Sequence, residues 1–469
     1  MRLSIGYALL ALAPWVCSAP VHADDGQSSP QDPHSRALAA GYKAAFTCSG
    51  VFDAGLNVEQ ITADDLEGIY AQYQALVRSL PAAQIDRTQH TVSVTYDSRL
   101  PPRISAWRPG LGCTELPIGA GAAMAANLPR LKAARPAGDM DQLAWPQGDA
   151  DALSSTKPPP ALSRVIDKLF DGHTYGAGTR TTAVIVIKDG KILAERYRAG
   201  YDMHTPQRTW SVAKSITATV VGRAVALGLA NIDAPANVPE WKHPGDPRAA
   251  ITLAMLLHMN SGLWTNGPGN RTDEIYLGGG LVTQWATAMP LEAAPGTLFR
   301  YSNDDALLAA RSVRASLGDG QRAIDFPFTE LFWRIGMFHT TPETDWQGNY
   351  ILSSQVWSTA RDVARLALLY IDDGVWSGQR LLPAGWSKFV ATPAPAQPTQ
   401  DAGYGAFFWL YGPEQNLPEG TYLMNGNRGQ YVFIVPSRKV IIVRRGFDAD
   451  NGGNFEIARY GRDVLAALE

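Results

Sequence analysis

Long apolar runs, an excess of basic charge and abundant cysteine are all missing from this 469-residue sequence. No stretch of about 20 apolar residues occurs, which excludes a protein that crosses a membrane several times. Lys and Arg number 41 against 44 Asp and Glu, so the net charge of −3 predicts no nucleic-acid partner, because neutralising phosphates requires clustered positive charge. The aromatic content is high, and its 13 Trp, 17 Tyr and 14 Phe supply enough apolar area for a folded core, which excludes disorder.

Motifs for metals and cofactors are missing as well. The eight histidines form no His-Glu-x-x-His pattern, and no glycine-rich phosphate loop follows a predicted strand. We therefore expect neither a metal nor a cofactor.

One shorter apolar segment lies at the N-terminus, where residues 5–17 follow Arg2. Small residues follow it at Val21 and Ala23, the −3 and −1 positions of a cleavage site. This arrangement predicts a signal peptide over residues 1–23 and a periplasmic or secreted product with no stable membrane insertion after cleavage. A short buried helix is the alternative.

Cysteine is rare, and the predicted cleavage removes one of the three residues, Cys17. The other two, Cys48 and Cys113, would then lie in a compartment where disulfides persist. We predict a bridge between them, with two buried free thiols as the alternative.

Composition divides the rest of the chain into four parts. Residues 24–35 are polar and predict a flexible lead. Residues 36–117 predict a small α+β domain, with a helix over 64–80 and strands over 91–96 and 103–107. Residues 118–160 are rich in Ala, Gly and Pro and predict a linker outside the core, and residues 161–469 form a larger domain.

The larger domain has hairpins near both of its ends. The pattern predicts a helix at 162–170, a hairpin of 183–187 with 191–194, a hairpin of 431–435 with 439–444, and a helix from Asn454. This order predicts an α/β (α+β) fold, in which a central antiparallel sheet is flanked by the first and last helices and the middle of the chain forms a helical lobe. A cleft between the sheet and the lobe is the expected place for a site.

The pattern Ser-x-x-Lys occurs twice. Ser154 and Lys157 run into three prolines, so no helix can hold them on one face. Ser211 and Lys214 open an apolar helix that extends nearly to Gly228, and their spacing places the amine one turn from the hydroxyl. An amine at that position can accept the hydroxyl proton if burial or a neighbouring cation lowers its pKa toward neutrality.

A Tyr-x-Asn tripeptide follows at residues 301–303. Tyr301 can carry protons when a neighbouring Lys stabilises its phenolate, and Asn303 can position a substrate carbonyl or amide. Taken alone, the tripeptide could equally be a core Tyr followed by an Asn that caps a helix.

Together these motifs resemble the superfamily of class C β-lactamases and penicillin-binding proteins, which are serine hydrolases. Further support comes from residues 256–263 and from Pro-Gly-Thr at 295–297. Within the superfamily the sequence most resembles the branch of 6-aminohexanoate-dimer hydrolase-like periplasmic hydrolases. That resemblance rests on residues 209–211, 246–252, 359–362 and 373–376, and more weakly on a segment over 36–115.

The resemblance implies roles for these residues. Ser211 would be acylated, Lys214 and Tyr301 would share proton transfer, and Asn303 would help to position the substrate. The backbone N–H groups of Ser211 and Asn427 would form the oxyanion hole.

The superfamily's third motif is Lys or His, then Thr or Ser, then Gly, on a strand. Gly426 matches the glycine, which lets a substrate backbone approach closely. Met424, however, replaces the cation that binds a substrate carboxylate, which puts penicillin recognition in doubt. Arg428 could supply the missing charge, although a surface Arg is the commoner explanation.

The sequence therefore predicts an exported serine hydrolase that acts on a small-molecule ester or linear amide. Hydrolysis of β-lactams or D-amino peptides is the alternative activity. A ligand- or peptidoglycan-binding module without catalysis is the alternative of another class. The oligomeric state stays open.

Overall fold

The computed structural model describes residues 32–265, 272–399, 402–450 and 455–469. The predicted signal peptide and most of the predicted lead lie outside these residues. The end of the lead differs from the prediction, because helix α1 (Pro33–Phe52) already begins at Pro33. Asp32 caps it by accepting a hydrogen bond from the backbone N–H of Ser35, and proline is well suited to a first helical position.

The N-terminal domain packs α1 against a four-stranded antiparallel sheet in the order β1-β2-β3-β4. Its remaining elements are α2 (Val58–Asp64), α3 (Ala71–Ser79), β1 (Gln84–Asp86), β2 (Thr91–Val94), β3 (Arg103–Arg108) and β4 (Gly112–Glu115). The predicted helix over 64–80 is wrong in its first turns. The chain leaves helical geometry between α2 and α3, where Gly68 has a φ of +67°, and only α3 keeps the predicted apolar face.

The predicted disulfide is present and joins the end of α1 to β4. The Cα atoms of Cys48 and Cys113 lie 6.1 Å apart, and both side chains are buried. The bridge closes a segment with a sequence separation of 65 residues.

The larger domain is built on a seven-stranded sheet in the order β12-β13-β14-β15-β16-β5-β6. Its strands are β5 (Thr181–Lys188), β6 (Lys191–Tyr197), β12 (Gly403–Tyr404), β13 (Trp409–Tyr411), β14 (Thr421–Gly426), β15 (Gln430–Val435) and β16 (Val440–Gly446). Every neighbouring pair is antiparallel, and β16 pairs with β5. The predicted central antiparallel sheet, made from both ends of the domain, is confirmed.

Two smaller sheets and the helices complete this domain. The smaller strands are β7 (Gln207–Arg208), β8 (Thr340–Pro342), β9 (Val356–Ser358), β10 (Val375–Trp376) and β11 (Gln379–Arg380). The helices are α4 (Pro160–Leu169), α5 (Val212–Ala226), α6 (Leu253–Leu257), α7 (Asp273–Tyr276), α8 (Val282–Trp285), α9 (Asn303–Ser316), α10 (Gln321–Pro327), α11 (Ala360–Ile371), α12 (Trp386–Val390) and α13 (Ile457–Ala466). Among the described residues, no helix is both long and apolar enough to cross a membrane.

The two faces of the sheet are covered by different helices. α5 and α11 pack on one face within the main core, and α4 and α13 cover the other. The first hairpin turns through Asp189 and Gly190, whose φ angles of 49° and 79° match the twist of paired strands. The predicted hairpin is confirmed, and β5 contacts α11 on the face of the main core.

The segment 118–160 is more than a linker outside the core. Trp145 and Ala152 belong to the main core, and the indole N–H of Trp145 donates to the carbonyl of Gly190 at 2.8 Å. Burial of a large aromatic side chain is strongly favourable, and the Ala, Gly and Pro composition of the segment concealed this contribution.

Candidate active site

Ser211 lies at the first turn of α5, in the place the sequence predicts. Its side chain is partly exposed, whereas Lys214 one turn further along is only 1% exposed. The Lys214 Nζ lies 3.0 Å from the Ser211 Oγ, within hydrogen-bond distance. The Ser211 hydroxyl is thus accessible to a ligand while the Lys214 amine is enclosed.

The amine of Lys214 is held by two further groups. Nζ donates to the side-chain oxygen of Asn303 at 2.6 Å and to the carbonyl of Ser353 at 3.0 Å. Burial lowers the pKa of Lys214, Asp304 opposes this shift and Arg208 adds to it. The resulting pKa of Lys214 is about 7. Because both acceptors are neutral, the amine can exist uncharged near neutral pH and accept a proton.

Tyr301 completes a group of three around the hydroxyl. Its hydroxyl hydrogen-bonds with Ser211, and its ring centroid lies 4.9 Å from the Lys214 Nζ. Burial raises the pKa of Tyr301 well above its usual value, so the hydroxyl keeps its proton. Contacts with Tyr404 and Trp409 fix the ring.

Asn303 is the first residue of α9, directly after the residue that caps it. The cap is Ser302, whose hydroxyl accepts from the backbone N–H of Asp305 at 3.3 Å. The side chain of Asn303 therefore contacts Lys214 and does not cap the helix. The alternative of a helix-capping Asn does not hold, because Ser302 is the cap.

The end of β14 runs close beneath the start of α5. A Cβ on Gly426 would lie 3.1 Å from the Ser211 backbone nitrogen and 2.4 Å from the Thr209 carbonyl oxygen. Real Cβ atoms do not approach a carbonyl oxygen so closely, so only glycine fits here without a shift of the backbone. The end of β14 and the backbone N–H of Ser211 therefore lie next to each other.

The side chains around Gly426 make contacts within the protein. Met424 is fully buried in the main core, and the Asn427 side-chain amide donates to Asp450 at 2.6 Å. Arg428 is only 3% exposed, so it is not a surface residue. Its guanidinium donates to the carbonyls of Asp448, Asp65 and Glu67, so it ties the N-terminal domain to the sheet instead of facing a substrate.

Tyr70 is a neighbour of the site that the sequence did not reveal. It lies between α2 and α3 in the N-terminal domain, and its ring packs edge-on against Trp210 with centroids 6.1 Å apart. Its hydroxyl hydrogen-bonds with the side chain of Asn427, and burial raises its pKa to about 12. Tyr70 therefore contacts both Trp210, which precedes Ser211, and Asn427, which follows β14. No motif around Tyr70 predicts these contacts.

Arg208 is a second residue missed from the sequence. Its guanidinium lies 4.1 Å from the Trp210 ring centroid and 4.5 Å from that of Phe46 on α1. It also donates to the Ser354 hydroxyl at 2.8 Å. This buried cation contributes to the low pKa of Lys214 and is itself enclosed by the N-terminal domain.

Comparison with known proteins agrees with this geometry. The family model described as Beta-lactamase matches residues 166–444, more than half of the chain, and the chain belongs to the β-lactamase family. The resemblance read from the sequence is thereby confirmed.

Individual relatives are more distant. A 6-aminohexanoate-dimer hydrolase of Paenarthrobacter ureafaciens is 24% identical over 320 residues, which cover 63% of this chain and 79% of that protein. Among solved structures, a Bacillus anthracis protein assigned as a 6-aminohexanoate-dimer hydrolase has a TM-score of 0.54 at 20% identity, covering 72% of this chain and 88% of its own. A family VIII carboxylesterase has a TM-score of 0.53 at 16% identity, covering 67% and 99%. These structures share the fold.

Proposed function

We propose that the protein is an exported serine hydrolase that cleaves a small ester or linear amide through an acyl-enzyme on Ser211. The observation that carries this proposal is the buried Lys214 amine, which lies 3.0 Å from the Ser211 hydroxyl and has a pKa of about 7. A nucleophile with a base poised near the working pH is what acyl transfer requires.

In the acylation step, the Ser211 Oγ bonds to the substrate carbonyl carbon and its proton passes to the neutral amine of Lys214. The carbonyl oxygen becomes an oxyanion beside the backbone N–H groups of Ser211 and Asn427. Collapse breaks the bond to the leaving group, which departs with a proton donated by the Tyr301 hydroxyl. Tyr301 then recovers a proton from the ammonium of Lys214, and an ester on Ser211 remains.

Deacylation repeats the sequence with water in place of the hydroxyl. A water oxygen bonds to the acyl carbon while Lys214 takes one of its protons. The acid departs as the Ser211 oxygen regains a proton by the same route. Both half-reactions use one amine and one phenol, so the enzyme returns to its starting protonation state.

Neutral substrates fit the surroundings of Ser211 better than anionic ones. Met424 stands where relatives carry a cation, and it is buried. The guanidinium groups of Arg208 and Arg428 are both engaged by groups of the protein. Binding a substrate carboxylate would require breaking these contacts, so an uncharged ester or amide is favoured.

Export rests on two features. The N-terminal sequence has the form of a signal peptide, and the Cys48–Cys113 disulfide forms where thiols are oxidised.

A fluorophosphonate probe followed by peptide mapping tests the nucleophile. We expect one modified residue, Ser211, and no label when Ser211 is changed to Ala. A folded protein that resists the probe and hydrolyses nothing would point instead to a binding module.

A substrate panel then tests the class. Short-chain nitrophenyl esters, 6-aminohexanoate dimer and nitrocefin should be compared by kcat/KM on the same preparation. We expect the neutral esters to exceed nitrocefin, and the reverse order would assign the protein to β-lactam hydrolysis.

A further inference from the structure

Two histidines and two aspartates from distant parts of the sequence meet beside the 118–160 segment. Asp141 and Asp149 belong to that segment, His204 lies between β6 and β7, and His339 immediately precedes β8. One donor atom from each of the four lies within 4.8 Å of the others. Their separation in sequence explains why no metal motif is visible there.

The distances suit a tetrahedral metal ion. His204 Nε2 lies 3.1 Å from one oxygen of Asp141 and 3.6 Å from the Oδ2 of Asp149, and His339 Nε2 lies 3.0 Å from the other oxygen of Asp141. Zinc bonds of 2.0–2.2 Å to nitrogen and oxygen place neighbouring donors roughly 3.3 Å apart. The three distances lie close to that spacing, and because the two histidines contact different oxygens of Asp141, the side chains must shift for both to share one ion.

The local charge also matches a divalent cation. The charged groups that contact one another here are four carboxylates and two guanidinium groups, namely Asp141, Asp149, Glu195, Asp362, Arg361 and Arg365. Arg361 is paired with Glu195 and Arg365 with Asp362, in addition to their shared contact with Asp149. With neutral imidazoles, the cluster carries a net charge of −2.

The ligands are held in place before any ion arrives. Arg365 donates to the Oδ1 of Asp149 and to the carbonyls of Pro146 and Gly148, each at 2.7 Å, which fixes the loop that carries Asp149. The backbone N–H of His339 donates to Asp362 at 2.8 Å. Because the arginines occupy Oδ1 of Asp149, its Oδ2 is the oxygen turned to His204.

We propose that Asp141, Asp149, His204 and His339 bind one Zn²⁺ that fastens the 118–160 segment to the catalytic domain. The competing explanation is a set of ion pairs with protonated histidines. It would place two imidazolium rings with centroids only 5.0 Å apart, where they repel each other. Neutral imidazoles avoid that repulsion, either by sharing one cation or by donating their Nε2–H groups to Asp141 without one, and a zinc titration separates these two arrangements.

The test uses the full exported chain without a polyhistidine tag, stripped with a chelator and then titrated with ZnCl₂. We expect one bound zinc per chain by calorimetry and elemental analysis, and a higher melting temperature with zinc, because an ion that binds the native state stabilises it. His204→Gln and His339→Gln should each weaken binding by at least about 100-fold, since losing a ligand exceeds the cost of losing an outer hydrogen-bond partner.

His173→Gln is the matched control, because His173 is also exposed and paired with an aspartate, Asp171, at 3.3 Å. It should leave zinc binding unchanged. Absence of stoichiometric binding, or full binding in both His204→Gln and His339→Gln, would overturn the proposal. Circular dichroism of each variant separates a lost ligand from a lost fold.

Discussion

The chain carries the pattern Ser-x-x-Lys twice, and the two copies differ in burial and in secondary structure. The Ser154 hydroxyl accepts a local hydrogen bond from the Thr156 backbone N–H at 3.1 Å, and Lys157 is exposed. Ser211 and Lys214 share the start of a buried helix, with a distance of 3.0 Å between oxygen and nitrogen. The pattern is suited to nucleophilic catalysis only where a helix aligns the two side chains and burial lowers the pKa of the amine.

The largest expected effect lies at the two serines. Ser211→Ala should reduce kcat by about 10⁴-fold or more, since no other group can form the acyl-enzyme. Ser154→Ala should leave the rate unchanged. Initial rates on a nitrophenyl ester measure both, and loss of activity in the second variant would reverse the assignment of the two copies.

The two lysines come next. Lys214→Ala should cost about 10²–10⁴-fold in kcat, the usual value of general acid–base catalysis. Lys157→Ala is the matched control and should cost nothing. If both variants keep full activity, proton transfer does not pass through either copy of the pattern.

Tyr301→Phe should cost a similar factor of about 10²–10⁴ because it removes the hydroxyl from the same proton path. The double variant with Lys214→Ala should be little worse than either single variant. Additive losses would show that the two side chains act independently.

The pH profile gives a smaller and graded effect. Lys214 accepts a proton only when it is neutral, and its pKa is about 7. Therefore kcat/KM should fall about tenfold for each pH unit below 7 and level off above it. A flat profile between pH 5 and 7 would contradict a lysine base.

The smallest effect is expected at Tyr70, for which the Ser154 copy has no counterpart. Tyr70→Phe removes a neutral hydrogen bond to Asn427, a loss of about 1 kcal/mol, so kcat/KM should fall about fivefold. Tyr96→Phe, a change at a buried tyrosine of the same domain, is the control. An equal change in both variants would indicate a general loss of packing.

The sequence predicted the parts of the molecule that depend on neighbours along the chain. The hairpin through Asp189 and Gly190, the helix after Ser211 and the absence of a helix over residues 154–157 all follow from local conformational rules. The predicted helix over 64–80 was wrong near Gly68, where the backbone leaves helical geometry and contacts the larger domain.

Apart from the disulfide and the pairing of the two hairpins in one sheet, contacts between distant segments were beyond prediction. Arg428 was expected to be a surface charge, yet two of its three carbonyl partners, Asp65 and Glu67, lie more than 360 positions earlier in the chain. Tyr70 reaches the site, and Arg208 is covered by Phe46, only because the N-terminal elements pack against the larger domain, which leaves no periodic or motif signal. Residue types and spacing can therefore predict a candidate nucleophile and its base, whereas the residues that surround them depend on tertiary packing.

The pairing of β16 with β5 has a consequence for how the chain matures. β5 acquires one of its two neighbours only when Val440 and its successors, about 250 residues later, have emerged from the ribosome. Such long-range pairing is slow, and until it occurs the apolar strand β5 has an open edge. A newly made chain therefore cannot complete its main sheet until nearly all of its residues have been synthesised.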